Sequence, residues 1–127
     1  MNGTTHSPHV DIPLAIARAG GRPDLARDLL RMLLDELPGH LAALDRALDR
    51  GDAAALRETL HRLGGAAAYC GVPRLEEAVR LLHEAAREGR SATDIRGLVD
   101  NLHAAGHGLL AAGPASLHHD WTAVPPA

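Results

Sequence analysis

One histidine of this sequence, His61, lies in surroundings that suit group-transfer chemistry. It belongs to the stretch LRETLHRLGGAAAYCG, residues 56–71. The apolar residues of that stretch recur at helical spacing and predict a stripe facing a core: Leu56, Leu60, Leu63, Ala67 and Cys70. At about 100° per residue, His61 lies roughly 130° from the centre of the stripe, which predicts an exposed imidazole. Near neutral pH an imidazole keeps an unprotonated fraction, so one ring nitrogen can attack a phosphoryl group.

The helix face that carries His61 is almost free of side chains on its C-terminal side. Gly64, Gly65 and Ala68 follow at i+3, i+4 and i+7, and Arg57 precedes by one turn. Each Gly in a helix interior costs about 1 kcal/mol relative to Ala. The bare face would let another protein, or a bulky group on the imidazole, approach without meeting a Cβ atom. Two simpler interpretations stay open here: an ordinary surface histidine, and a Gly pair that allows close helix packing.

Other residues with reactive side chains follow weaker patterns. His103 and His107 have the i, i+4 spacing that can bind one metal ion, but no carboxylate or Cys partner is predictable beside them. A solvated helix face is therefore expected, and no metal site is predicted. The sequence contains no Ser-His-Asp order, phosphate loop or dinucleotide fingerprint.

Three residues near the His61 stretch are expected to serve packing. His83 lies between core positions and is predicted to be partly buried. Cys70, on the apolar stripe, is predicted to be a small inert hydrophobe. Tyr69 is expected to fill the gap that the small residues around it leave.

The elements that must position these residues are predicted to be helices. Ala and Leu dominate, with no Phe, one Tyr and one Trp, and this composition disfavours strands. Asp11, Asp52 and Ser91 supply helix-start signals. Pro38 interrupts a segment predicted as one kinked helix, with two shorter helices as the alternative. The predicted order is a flexible leader (1–10), a short helix (12–19), four long helices (about 23–49, 53–70, 73–89 and 91–110) and a disordered tail (113–127). The prediction is an all-α fold, an antiparallel up-and-down four-helix bundle domain over residues 11–112 with a short N-terminal covering helix.

Charge and hydropathy exclude several classes of function. The net charge is −3 and no basic stripe exists, so nucleic-acid binding is not expected. The longest uncharged stretch, residues 63–73, is far shorter than the roughly 20 apolar residues of a membrane span, so direct membrane contact is not expected. No signal peptide is visible, and a single cysteine fits a reducing compartment. A soluble, cytoplasmic helical domain is the prediction.

The stretch around His61 resembles the histidine-containing phosphotransfer (HPt) domain family. The family pattern is roughly His-x-Leu-Lys-Gly-(Ser/Ala)-Ala-x-x-x-Gly, followed by a short loop and Leu. The matching residues are His61, Leu63, Gly65, Ala66, Ala67, Gly71 and Leu75. Four longer segments are similar to the C-terminal HPt domain of tripartite hybrid sensor kinases of the BarA/GacS type: DIPLA (11–15), PDLARDLL (23–30), MLLDELP (32–38) and YCGVPRL (69–75). The resemblance covers residues from about 11 to 112.

The resemblance implies a role in a phosphorelay. His61 would accept a phosphoryl group from an aspartyl phosphate on the receiver domain of a hybrid sensor kinase and pass it to a response regulator. The chain would bind no cofactor and act as a phosphoryl carrier rather than a self-sufficient enzyme, because the receiver supplies Mg²⁺ and the acidic pocket. Receiver domains would dock on Gly64, Gly65 and Ala68. As part of a sensor histidine kinase, the chain would form a cytoplasmic portion of a membrane-anchored protein.

One position departs from the family pattern. Gly64 stands where the family usually has Lys, a cation that would favour the phosphoryl group. Arg57, one turn earlier on the same face, is expected to replace it, while the adjacent Arg62 points more sideways. This departure supports one alternative, an HPt-fold adaptor that docks a receiver without phosphotransfer. The number of His residues supports a second alternative, a His-rich metal-binding helical bundle.

Overall fold

The computed structural model describes residues 8–123, and these form five α-helices and one 3₁₀ turn. The helices are α1 (Ile12–Arg18), α2 (Pro23–Asp49), α3 (Ala53–Ala68), α4 (Pro73–Glu88) and α5 (Ala92–Ser116), and the turn is Trp121–Ala123. Along the chain each helix contacts the next from α2 to α5, and α5 contacts α2, which closes a ring of four. The connections between these four span only residues 50–52, 69–72 and 89–91, so neighbours run antiparallel. The predicted all-α four-helix bundle is confirmed, with α1 packed on α2 as the covering helix.

The helix starts follow from short polar side chains, as the sequence predicts. Asp11, Asp52 and Ser91 each accept a hydrogen bond from the backbone N–H three residues later, at 3.0 to 3.1 Å. The Asp94 carboxylate accepts from Arg90 at 3.3 Å. These caps fix where α1, α3 and α5 begin, and hence the register of the residues that each helix presents.

The α2 helix passes through Pro38 without a break, so the single-helix interpretation is confirmed over the alternative of two shorter helices. Pro38 is exposed, which keeps its ring and the backbone hydrogen bond it removes at the solvent side. On the opposite side, Leu37 and Leu41 are buried and maintain the apolar stripe across the proline.

The core between the four helices is built from leucines and small residues. The largest fully buried side chains lie on all five helices and in the α3–α4 connection: Ile16, Leu30, Leu33, Leu37, Leu44, Leu60, Leu63, Leu75, Leu82, Leu102, Leu109 and Val72. An added Cβ atom at Gly106 would approach the Leu41 side chain to 3.1 Å, and one at Gly113 would approach Leu34 to 2.6 Å. These two glycines therefore let α5 pack closely against α2.

The predicted chain ends need correction. The α5 helix continues to Ser116 rather than ending near Leu110, and the Trp121 side chain is only 3% exposed, with its ring N–H donating to the Ser116 carbonyl at 2.8 Å. Residues 113–123 are thus part of the folded unit and not a disordered tail, because a large aromatic side chain gains more from burial in the core than from exposure. The predicted leader lies mostly outside the described residues, but Val10 packs against the core.

None of the helices within residues 8–123 is both long enough and apolar enough to cross a membrane.

Candidate functional site

His61 lies in the middle of α3 with its side chain exposed, as the sequence predicts. The core stripe that orients α3 is buried at every predicted position: Leu56, Leu60, Leu63, Ala67 and Cys70. Because these residues hold one face of α3 in the bundle, the opposite face must point outward. Within the described part of the chain, no hydrogen bond or ion pair engages the His61 ring. The structure therefore leaves the imidazole available to a partner.

The two glycines after His61 are not required by packing inside the chain. An added Cβ atom at Gly65 would meet no atom within 4 Å, and one at Gly64 would lie 3.5 Å from a Val79 methyl, an ordinary contact distance. The alternative that the pair exists for close helix packing is therefore wrong for Gly65. Gly65 and Ala68 are exposed and Gly64 is half-buried, so the bare face lies open next to His61.

A shallow groove of about 540 Å³ runs beside His61 between α3 and α4. Leu60, His61, Gly64 and Gly65 form the α3 side, and α1 contributes Arg18 at one edge. The α4 side consists of residues spaced at helical intervals: Pro73, Glu76, Glu77, Val79, Arg80 and His83. The predicted docking residues Gly64 and Gly65 are thus brought together with His61. Ala68 is exposed on the same helix but lies outside the groove.

Ion pairs balance the charges along the groove. Arg18 donates to Glu76 at 2.5 Å and to the Cys70 carbonyl at 2.7 Å. Arg80 donates to Glu77 at 2.8 and 2.9 Å, and these hydrogen bonds lower the pKa of the Glu77 carboxyl. Arg80 also donates to Glu84, outside the groove lining, at 2.6 Å. Each of the two carboxylates in the groove is thus paired with a guanidinium that also lines it, which reduces the negative charge that would repel an anion on His61.

The sequence did not identify the α4 side of the groove or Arg18. His83 was predicted to be partly buried, which is confirmed, but it also faces the same groove as His61. The spacing of Glu76, Glu77 and Arg80 marks a polar face of α4. The contact between that face and α3 depends on how the two helices cross, which no local pattern contains.

The two predicted phosphoryl-stabilising arginines lie on α3 outside the groove. Arg57 is exposed and forms no ion pair with the described residues. Arg62 is also exposed and donates to Glu58 at 3.1 Å. Arg57 is therefore the freer of the two cations beside His61.

The C-terminal end of α3 is anchored by the third glycine of the motif. An added Cβ atom at Gly71 would lie 2.2 Å from the Asp11 carbonyl oxygen, and the Gly71 carbonyl accepts from the Asp11 N–H at 2.8 Å. Only a residue without a side chain lets α1 approach this closely. Gly71 is thus structural, whereas Gly65 is not.

The structure agrees with the prediction for Cys70 but not with the prediction for Tyr69, the two residues before Gly71. Cys70 is buried, and burial, with a smaller contribution from Glu76, raises the pKa of its thiol to about 11, which fits the predicted inert hydrophobe. Tyr69 does not fill a gap, and that prediction was wrong. Its side chain is 64% exposed, because the core under this end of α3 is already filled by Ala67, Cys70 and Val72.

The sequence predicts a solvated helix face around His103 and His107 on α5, but the His103 ring contacts other side chains. The His103 Nε2 atom lies 2.7 Å from an Asp45 carboxylate oxygen on α2, and its ring stacks on His107 with 5.6 Å between centroids. Within residues 8–123, no group of three or more His, Cys, Asp or Glu side chains is arranged to hold a metal ion.

Comparison with known sequences gives one consistent result. The sequence model of the family described as "Hpt domain" matches residues 28–111. The signal transduction histidine-protein kinase BarA of Escherichia coli (strain K12) is 36% identical over 86 residues, which cover 68% of this chain and 9% of that protein. The sensor histidine kinase GacS of Pseudomonas protegens is 48% identical over 60 residues, which cover 47% of this chain and 6% of GacS. The chain spans less than a tenth of these relatives.

Solved structures agree with the sequence matches. The crystal structure of the HPT domain from an Hpt sensor hybrid histidine kinase of Shewanella superposes with a TM-score of 0.69 at 27% identity, covering 87% of this chain and 97% of that domain. Histidine-containing phosphotransfer protein B (HptB) of Pseudomonas aeruginosa PAO1 superposes with a TM-score of 0.73 at 24% identity, covering 88% and 96%. The HptB likeness concerns the fold alone.

Proposed function

The chain belongs to the Hpt domain family and has its histidine phosphotransfer role in phosphorelay signalling, and from this we propose that His61 is the residue that carries the phosphoryl group. The observation that supports the assignment is the exposed, unengaged imidazole beside a helix face that no packing requirement keeps bare. Such a face admits the active-site loops of a receiver domain up to the ring itself.

The proposed reaction needs little from this chain beyond an oriented nucleophile. One unprotonated ring nitrogen of His61 attacks the phosphorus of an aspartyl phosphate on a receiver. The N–P bond forms while the P–O bond breaks, and the aspartate leaves as a carboxylate. A second receiver, on a response regulator, then takes the phosphoryl group by the reverse chemistry. We propose that each receiver supplies the Mg²⁺ and that this chain binds no cofactor.

The buried stripe on α3 supplies the orientation. Leu60 and Leu63 flank His61 in the sequence and are fully buried, so the backbone that holds the ring cannot rotate away from the partner. A site on a rigid helix holds its geometry better than a site on a loop, which suits a residue that must meet two different partners.

Hpt domains of phosphorelays act with receiver domains and response regulators. For this chain we propose the receiver of a hybrid sensor kinase as donor, a response regulator as acceptor, and the cytoplasm as location. The similarity to the kinases BarA and GacS supports this proposal.

Phosphotransfer is tested by incubating the chain with a ³²P-phosphorylated receiver and Mg²⁺. We expect an acid-labile, base-stable label on the wild type and none on His61→Gln, because an amide cannot form a stable phosphoramidate. The matched control is His107→Gln on α5, an exposed histidine remote from the groove in sequence and in helix, which should be labelled like the wild type. Label retained by His61→Gln would refute the assignment.

The adaptor alternative is favoured by one observation, the Gly64 that replaces the usual cation. It predicts stable docking of a receiver with no label on any variant. We propose instead that Arg57 supplies the missing charge.

The role of Arg57 predicts a modest electrostatic effect. Arg57→Ala should shift the phosphotransfer equilibrium away from the phosphorylated chain by about two- to fivefold, the range for an exposed charge pair. Arg62→Ala should have a smaller effect, because Glu58 already engages that guanidinium. The measurement is the labelled fraction at equilibrium with the receiver. An unchanged fraction for Arg57→Ala would contradict the proposal.

A further inference from the structure

Tyr69 is one of two large apolar side chains that stand exposed on the described part of the chain, the other being Met32. Tyr69 is 64% exposed and Met32 is 55% exposed. The sequence contains one Tyr, one Trp and no Phe, and the tryptophan is buried in the core. Among Phe, Tyr and Trp, the one side chain outside the core is therefore mostly exposed to solvent, where it adds little to the stability of the fold.

The position of this ring relates it to His61. Tyr69 is the C-cap residue of α3, eight residues after His61, so the two Cα atoms lie about 12 Å apart along the helix axis. Between them the exposed residues of α3 are Arg62, Gly65 and Ala68. A standard protein interface covers about 800 Å² on each partner, equivalent to a disc of about 16 Å radius. A partner centred on His61 would therefore cover Tyr69 as well.

The chemistry of the ring fits an interface rather than a solvated surface. Tyr combines a large rigid apolar area with a polar end, and aromatic residues are enriched among those that dominate binding energy. Within residues 8–123 the Tyr69 hydroxyl has no hydrogen-bond partner. Because its exposed α3 neighbours are Gly and Ala, the ring protrudes beyond its immediate surroundings.

We propose that Tyr69 is an anchor for the receiver domain, inserting into an apolar recess beside the receiver's acidic pocket. The identity of the partner rests on the proposed function. The ring contributes affinity and not chemistry, because at this distance it cannot reach the phosphorus. Tyr69 therefore determines how tightly a receiver binds, while His61 determines whether the phosphoryl group moves.

The test compares Tyr69→Ala with Met32→Ala, which removes the other exposed apolar side chain from α2. Binding of an unphosphorylated receiver is measured by calorimetry, and transfer from the phosphorylated receiver is measured under single-turnover conditions. Tyr69→Ala should raise the Kd and the half-saturating receiver concentration tenfold or more, with the maximal transfer rate within twofold of wild type. Tyr69→Phe and Met32→Ala should both bind within twofold of wild type.

Three outcomes would overturn the anchor: a Tyr69→Ala Kd within twofold of wild type, an equal loss in Met32→Ala, or a loss confined to the maximal rate. The thermal unfolding temperature of each variant shows whether a loss of binding reflects a loss of folding. Tyr69→Phe removes only an exposed hydroxyl and should keep the wild-type fold. Because calorimetry uses the unphosphorylated receiver, the anchor is tested even if no label reaches His61. Failure of the phosphotransfer proposal is therefore distinguishable from failure of this one.

Discussion

At the position of Gly65, stability and partner access place opposite demands on the side chain. An added Cβ atom meets nothing within 4 Å, and Ala is favoured over Gly in a helix interior. Gly65→Ala should therefore raise the free energy of unfolding by about 1 kcal/mol. The same methyl group should slow phosphotransfer, because in the proposed function the receiver's loops would close over His61 at this point. Urea unfolding and single-turnover transfer measure the two effects.

Gly97 provides the matched control for Gly65. It also lies inside a helix, α5, and an added Cβ atom there again meets nothing within 4 Å. Gly97→Ala should give a similar gain in stability with no change in transfer. If both variants transfer at the wild-type rate, the bare face of α3 has no role in docking.

The residues on α3 could be placed from sequence because helical periodicity is local. The apolar stripe from Leu56 to Cys70 fixes which way His61 points, and the structure agrees. The α4 side of the groove could not be predicted, because Arg80 and His83 approach His61 only through the packing of two helices. The prediction for Tyr69 was wrong for a related reason. Whether a gap exists there depends on neighbours such as Val72, which lies in the α3–α4 connection, where helical periodicity does not apply.

At the scale of elements, α1 is fastened to the α3–α4 connection. The Asp11 N–H donates to the Gly71 carbonyl, and the Arg18 guanidinium donates to the Cys70 carbonyl and to Glu76. These contacts join the covering helix to the end of α3 and place Arg18 at the edge of the groove. The short helix thus belongs to the site as well as to the fold.

Gly71→Ala tests this attachment. The added Cβ atom would lie 2.2 Å from the Asp11 carbonyl oxygen and 2.7 Å from the Ala15 amide nitrogen, both backbone atoms, so α1 must move. We expect a loss of about 1–3 kcal/mol in the free energy of unfolding, the usual cost of overpacking. Urea unfolding measures it, with Gly65→Ala as the comparison of opposite sign. A Gly71→Ala variant as stable as wild type would contradict the close attachment of α1 at Gly71.

The helix order could be predicted because its signals are strong and local. Asp11, Asp52 and Ser91 cap where the sequence places them, and the α2 stripe continues through Pro38. The end of α5 was missed because the Gly113-Pro114 pair is typical of a helix end. Gly113 is instead required by the close approach of Leu34 on α2, a contact between residues far apart in the sequence.

At the scale of the whole molecule, the turn that follows α5 packs against the bundle. Trp121 is buried against the core, and the turn that contains it contacts α2. Trp121→Ala should lower the free energy of unfolding by about 3 kcal/mol or more, the range for truncating a large buried side chain. Far-UV circular dichroism in urea measures the loss. His119→Ala, an exposed change in the same segment, is the control, and equal stabilities would place the tryptophan outside the core.

The open face around His61 has a consequence for the order in which two partners can bind. Under the proposed function, donor and acceptor receivers would need the same few residues of α3. Only one could then be bound at any moment, and turnover would follow a ping-pong order. An excess of the acceptor receiver would then occupy the site and delay the next phosphorylation of His61 by the donor. The rate of phosphoryl transfer to the acceptor would be greatest at an intermediate ratio of acceptor to donor. It would be lower at both higher and lower ratios.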